Sequence, residues 1–222
     1  MTASEQEMSL ACVYYPLTGA VLGAVLVLPL YLGVFAEHIW IQAWLYVLLS
    51  TWLTRALHLD GLADVLDALG SGKTGEAFQA VLKDSRMGAF GCAGLIMAVT
   101  GQILLAAACL ENRFLAPLLY APIFGRCLPV LLSGIAPTNP RARLGALLAS
   151  APRMPALLLA ATGVGGLLFL FPLPSVLTAI ALTALCLGIL RRTALREGGY
   201  NGDFCGFAII CGEIIVLLAA IA

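Results

Sequence analysis

Apolar residues in this chain come in long unbroken runs separated by short polar stretches. Runs of about 17 to 20 apolar residues occur near 16–35, 39–57, 90–110, 114–134, 155–171, 173–190 and 205–222. At a rise of about 1.5 Å per residue, such runs match the hydrocarbon thickness of a bilayer. The pattern predicts seven spans. Polar positions concentrate in 58–89, 135–154 and 191–204, whereas the connections at 36–38, 110–113 and 171–174 are short. The predicted fold class is all-α: a polytopic transmembrane helical bundle with short cytoplasmic helices, forming one domain over residues 1–222.

Composition names the solvent. The chain is 61% hydrophobic and 11% charged, with a mean hydropathy of +1.00, against about 25% charged residues in a soluble domain. It reads as an integral membrane protein whose constant partner is the lipid bilayer. The formal net charge is zero and the basic residues form no dense patch, which argues against a nucleic-acid partner. The first run follows an acidic N-terminus, Glu5 and Glu7, and lacks a small-residue cleavage site, so it reads as a span and not a removed signal. The seven cysteines show no Cys-x-x-Cys spacing and lie mostly in apolar runs. They read as small buried residues, not as a disulfide framework or zinc site.

Charge asymmetry sets the orientation. With the N-terminus in the cytoplasm, Arg55, Lys73, Lys83, Arg86, Arg141, Arg143, Arg153, Arg191, Arg192 and Arg196 fall on or beside the cytoplasmic side. Only Arg113 is left outside, and Arg126 lies within a span. Lys and Arg in short loops determine topology. The expectation is a multi-pass membrane protein, with its active site facing the cytosol and its C-terminus outside.

The first polar segment carries Asp60, Asp64 and Asp67. On a helix these spacings place all three carboxylates within roughly 60° of one face, where unpaired like charges repel. The stripe is expected to continue the second span beyond the interface and to stop at Gly70-Ser71-Gly72. A second helix, roughly Gly75 to Lys83, leads into Lys83-Asp84-Ser85-Arg86-Met87-Gly88-Ala89-Phe90-Gly91, where glycines allow close backbone approach to a ligand. The stripe suits Mg²⁺, a hard cation that keeps waters and bridges one or two carboxylates to substrate phosphate. The alternative is a solvated polar face without metal; an acidic stripe beside a membrane, in a chain with twelve acids, favours the metal.

Asp84 either completes this metal site, with Lys83 and Arg86 binding phosphate, or pairs with them as an interfacial anchor. Arg126 is expensive in lipid, so it faces a polar cavity or a carboxylate. Glu213 is either functional or the partner of Arg126. His58 beside Asp60 reads as a metal ligand, a general base or a hydrogen-bonding support. The stretch Gly198 to Gly206 is turn chemistry with Asp203 at the entrance to the last span, and in the plainest reading Asp203 is that helix's N-cap.

Three ordered motifs carry a family resemblance: Arg55-Ala56-Leu57-His58-Leu59-Asp60-Gly61-Leu62-Ala63-Asp64-Val65-Leu66-Asp67, the Lys83–Gly91 stretch, and Asn201-Gly202-Asp203-Phe204-Cys205-Gly206. Together they resemble the cobalamin synthases, the adenosylcobinamide-GDP ribazoletransferases, from about Tyr15 through Glu213. The resemblance implies a membrane enzyme requiring Mg²⁺, which joins adenosylcobinamide-GDP to α-ribazole or its 5′-phosphate, releases GMP and forms adenosylcobalamin or its phosphate. One departure is Ala68, where a glycine is more usual. With the reaction as guide, Asp60, Asp64, Asp67 and Asp84 are expected to hold Mg²⁺, and Lys83, Arg86 and Arg126 to stabilise phosphate. Asn201 is counted among the binding residues. Asp203, His58 or a stripe acid would orient or deprotonate the attacking hydroxyl.

Two other readings compete. The aspartates also resemble those of CDP-alcohol phosphotransferases, but Asp64 stands where that family's pattern places an arginine after Ala63. A transporter would use Arg126 and Glu213 along a pathway, yet the spans show no internal repeat and the acids cluster at one edge. A homo-oligomer or a complex with other pathway enzymes is compatible with the sequence.

Overall fold

The computed structural model describes residues 5–140 and 142–222. Arg141, which the charge pattern puts on the cytoplasmic side, lies outside the described residues. The helices in chain order are α1 (Glu5–Val13), α2 (Tyr15–Tyr31), α3 (Ile39–Leu53), α4 (Leu57–Gly70), α5 (Glu76–Leu82), α6 (Ala89–Glu111), α7 (Ala116–Ile135), α8 (Arg143–Ser150), α9 (Arg153–Gly165), α10 (Leu167–Leu170), α11 (Leu173–Arg196) and α12 (Gly202–Ile221). Among the described residues the only β-pairing is an isolated parallel bridge between Thr138 and Tyr200.

Each predicted run is helical, and the chain is a multi-pass membrane protein. Five helices are long and apolar enough to cross alone: α6, α7, the α9–α10 segment Arg153–Leu170, α11 and α12. The pair α1–α2, bent by 62° at the break between them, meets the same length and hydropathy only when taken together, which gives up to six. The 15-residue α3 is only about 22 Å long at the helical rise, short of the roughly 30 Å hydrocarbon core. Seven is therefore the number of apolar runs, not of helices that meet span length.

Side-chain contacts place the chain's polar parts at one end. The Ser150 hydroxyl of α8 lies 3.2 Å from that of Ser9 in α1. Gln79, Asn139 and Glu197, one from each polar segment, are joined by hydrogen bonds. The pairs α2–α3, α6–α7 and α9/α10–α11 therefore each go out and return.

At the centre, α12 packs on α7, α4, α11 and α6, and α7 also packs on α2 and α9. Small residues let these backbones meet: a β-carbon on Gly212 would lie 2.7 Å from the Gly125 Cα. Such close approach replaces the hydrophobic drive that lipid cannot supply between helices. Pro122 within α7 has no N–H for the Leu118 carbonyl, and the Tyr46 hydroxyl of α3 donates to that oxygen instead at 2.8 Å. Large apolar side chains such as Phe169, 91% exposed, point outward as a lipid-facing surface requires.

The acidic helix does not continue the second span. After α3 ends at Leu53, Arg55 and Ala56 take left-handed φ values of 54° and 56°, and α4 begins afresh at Leu57. Left-handed backbone costs a non-glycine residue on the order of 1 kcal/mol. The break lets α4 turn inward and pack between α6 and α12. Its stop falls where expected: the Ser71 hydroxyl donates to the Ala68 carbonyl at 2.7 Å and Gly72 has φ 66°.

Candidate active site

The site forms where α4 crosses the start of α12. A β-carbon on Gly61 would lie 2.8 Å from the Asp203 carbonyl oxygen, and one on Gly206 would lie 3.1 Å from the His58 carbonyl oxygen. Two glycines thus bring the backbones together, and with them Asp203 and the acidic stripe. The N-cap of α12 is Asn201, not Asp203: its Oδ1 accepts from the Asp203 and Phe204 N–H groups at 3.1 and 3.2 Å. Its Nδ2 donates to Asp203 Oδ2 at 2.7 Å, which holds that carboxylate in place. Asn201, expected to bind a ligand, here positions Asp203.

Electrostatics single out Asp64. Burial and then the charges of Asp203, Asp60 and Asp67 push its carboxyl up to about 6. An acid strained in this way favours either a proton or a cation. His58 is buried, and its Nδ1 has no hydrogen-bond partner. Burial, followed by the nearby Arg126 charge, pulls its pKa down to about 4, so the imidazole is neutral at pH 7. A small cavity of about 90 Å³ is lined by His58, Asp60, Asp203 and Tyr15.

No three His, Cys, Asp or Glu side chains among the described residues form a metal cage by themselves. The donor set still fits Mg²⁺, which takes hard carboxylate oxygens, keeps several waters and draws its remaining ligands from substrate phosphate. Asp60, Asp64 and Asp203 are the group that the fold gathers.

Asp67 points elsewhere. Its Oδ2 accepts from the Gly88 N–H and its Oδ1 from the Gly91 N–H, both at 2.7 Å, so it caps the first turn of α6 from another helix. Gly88 and Gly91, expected to admit a ligand, admit this carboxylate: a β-carbon on Gly88 would meet Asp67 Oδ1 at 2.5 Å.

Asp84, expected to complete the metal set, instead pairs with Arg86. Arg86 Nε donates to Oδ1 at 3.0 Å and Nη2 to Oδ2 at 2.8 Å. These hydrogen bonds hold the exposed Asp84 carboxyl down at about 2. Lys83 is exposed and has no carboxylate partner within 4 Å among the described residues.

Arg126 lies in the bundle interior, 4% exposed, with Nη1 3.1 Å from Glu213 Oε1 and 2.9 Å from the Pro122 carbonyl. Gln102 donates to Glu213 Oε2 at 3.1 Å. Of the two partners foreseen for Arg126, a carboxylate is the one present. The two intramembrane charges that favoured transport thus satisfy each other, with no other ion pair buried among the described residues.

Several residues carry structure here that the motifs did not mark. Glu197, 6% exposed, accepts the Gly75 N–H on Oε2 at 2.6 Å, and its carbonyl accepts from Gln79 Nε2 at 2.7 Å. Asn139 Nδ2 donates to Gln79 Oε1 at 3.2 Å. Gly199, at φ 104°, packs against the Thr138–Asn139 backbone, where no side chain fits. A buried glutamate just ahead of a Gly-Gly pair was the available signal, hidden because its partners lie 118 and 122 residues away.

The chain matches the model of the cobalamin-5-phosphate synthase family over residues 1–221. The adenosylcobinamide-GDP ribazoletransferase of Nitratidesulfovibrio vulgaris strain DP4 is 44% identical over 98% of this chain and 89% of that protein. Proteins of the same name from Leptothrix cholodnii and from Vibrio cholerae serotype O1 strain O395 are 33% and 31% identical, over 94% and 99% of this chain and 83% and 85% of theirs. No solved structure matches. With a match spanning nearly its whole length, the chain belongs to the cobalamin-5-phosphate synthase family.

Proposed function

We propose that this protein is an adenosylcobinamide-GDP ribazoletransferase of the bacterial inner membrane, with its active site on the cytosolic face. It joins adenosylcobinamide-GDP to α-ribazole or its 5′-phosphate, releases GMP and forms adenosylcobalamin or its 5′-phosphate, the last assembly of the nucleotide loop. The observation that carries this reading is the crossing of α4 and α12, which sets Asp203 against Asp60 and Asp64 at the end of the bundle where the three polar segments meet.

The reaction is attack of a ribose hydroxyl on a pyrophosphate phosphorus, and catalysis of such transfers rests on positioning and charge stabilisation. Asp60 and Asp64 would hold Mg²⁺, which when bound supplies positive charge against the pyrophosphate oxygens. Lys83, which is exposed, and Arg86, if released from Asp84, bind phosphate. Asp203, fixed by Asn201, orients the incoming hydroxyl and takes its proton. His58 is neutral and lines the same small cavity, with its Nδ1 buried and without a hydrogen-bond partner. Asp67 and Arg126 act through the fold: Asp67 fixes α4 against α6, and Arg126 ties α7 to α12.

The test is GMP release by protein in nanodiscs supplied with adenosylcobinamide-GDP and α-ribazole, with and without Mg²⁺. Metal-dependent GMP matched by cobalamin product is the expected result. No GMP, together with CMP release from a CDP-alcohol, would overturn it.

A further inference from the structure

A second, larger cleft, of about 790 Å³, lies between α5, the loop at 138–140 and the end of α11. That volume is in the range of small-molecule sites, about 300–1,000 Å³. Its lining includes Glu76, Gln79, Lys83, Asn139, Arg196 and Glu197. The walls are tied before any ligand arrives: Glu197 grips the turn at Gly75 and the side chain of Gln79, and Gln79 grips Asn139. The same backbone runs from Glu197 through the buried Tyr200 into Asn201 and Asp203. Cleft and acidic site therefore share their supports.

The charges in this cleft are unspent. Lys83 and Arg196 are exposed and have no carboxylate within 4 Å among the described residues. Glu197 is committed to Gly75, but Glu76 is exposed, and among the described residues its carboxylate has no ion-pair partner and accepts no hydrogen bond. Two cations suit a phosphate. A free carboxylate in the same cleft opposes a ligand that is only anionic, and suits one that also presents N–H donors. Guanine presents its N1–H and exocyclic N2 amine on one edge, two donors for the two oxygens of an acceptor-only carboxylate. Adenine interrupts that edge with an acceptor at N1, and the benzimidazole of α-ribazole has no N–H donor once glycosylated.

We propose that this cleft binds the guanosine phosphate end of the GDP-linked substrate, with Glu76 reading guanine and Lys83 and Arg196 holding phosphate. The assignment rests on the transferase reading above and adds to it the place and the chemistry of nucleotide selection.

The experiment measures equilibrium binding of GMP, guanosine, IMP, AMP and α-ribazole 5′-phosphate to the full-length protein in nanodiscs, alongside the KM for each substrate. The wild type should prefer GMP over AMP by about tenfold or more, with IMP, which lacks the N2 amine, between them. Glu76→Gln should remove most of that preference while sparing AMP binding. Arg196→Ala should weaken GMP but not guanosine, and should raise the KM for adenosylcobinamide-GDP without changing that for α-ribazole. Both side chains are exposed, so folding is not at stake. Equal wild-type affinity for GMP and AMP, or unaltered binding by both variants, overturns the assignment. So does loss of α-ribazole 5′-phosphate binding in its place. Unaltered variants in a protein that still releases GMP leave the transferase reading standing; a wild type that releases none removes that reading and this assignment with it.

Discussion

Gly61 of α4 rests against the backbone of Asp203 in α12, so closely that a β-carbon there would come within 2.8 Å of the Asp203 carbonyl oxygen and 3.0 Å of its Cα. The gap between the acidic stripe and Asp203 is therefore set by a missing side chain. Gly61→Val should push the helices apart while leaving every acid in the sequence. Misplacement by about 1 Å costs on the order of 10²-fold in rate, so GMP release should fall by about that factor in protein that still folds. Turnover within twofold of wild type would show that the spacing is not functional.

Asp64 and Asp67 share a helix face but should fail differently. Asp67 accepts two backbone N–H groups of α6, and losing such bonds to a charged acceptor costs about 1.5–3 kcal/mol each at most. Asp67→Ala should lower the midpoint of thermal unfolding by several degrees in metal-free detergent solution. Asp64→Ala should not lower that midpoint and should abolish Mg²⁺-dependent turnover. Thermal scans and GMP release on the same preparations separate the two roles, and the reverse pattern would exchange them.

The folded carboxyl of Asp64 titrates near 6, above its unfolded value of about 3.9. The folded state thus takes up a proton in that window, and stability from this group is complete below the unfolded pKa and lost as pH rises through the folded one. Asp64→Asn, which mimics the neutral acid, should be more stable than wild type at pH 7.5 in EDTA. The gap should close as pH falls through about 6. A gap that does not change with pH would mean that Asp64 carries no such repulsion.

Arg126 and Glu213 are buried together at 3.1 Å. Removing one partner strands the other, at a cost of about 3–5 kcal/mol, whereas replacing both with apolar residues of similar volume is often near neutral. Arg126→Met and Glu213→Leu should each lower stability strongly, and the double variant should recover most of the loss while keeping GMP release. A double variant that folds like wild type but cannot turn over would give the pair a part in the chemistry.

The helical runs were legible because a bilayer offers no water to free backbone groups, so spans must be continuous apolar helices. The glycine stop after Gly70 was legible for a similarly local reason. The break at Arg55 and Ala56 was not, since neither residue favours left-handed backbone and only the packing of α4 between α6 and α12 holds them there. Asn201 as cap in place of Asp203 depends on which of two neighbouring acceptors reaches the first turn of α12.

What the amino-acid sequence determined by itself was the solvent, the all-helical architecture, and the polar segments with the aspartates they carry, because hydropathy and side-chain chemistry are properties of short stretches of chain. Tertiary structure decided which acids meet. Asp203 joins Asp60 and Asp64 only because Gly61 and Gly206 let two helices touch, and Asp67 leaves that group only because the start of α6 arrives with two unsatisfied N–H groups. Contacts of this kind depend on distance in space between residues far apart along the chain, and no local spacing encodes them.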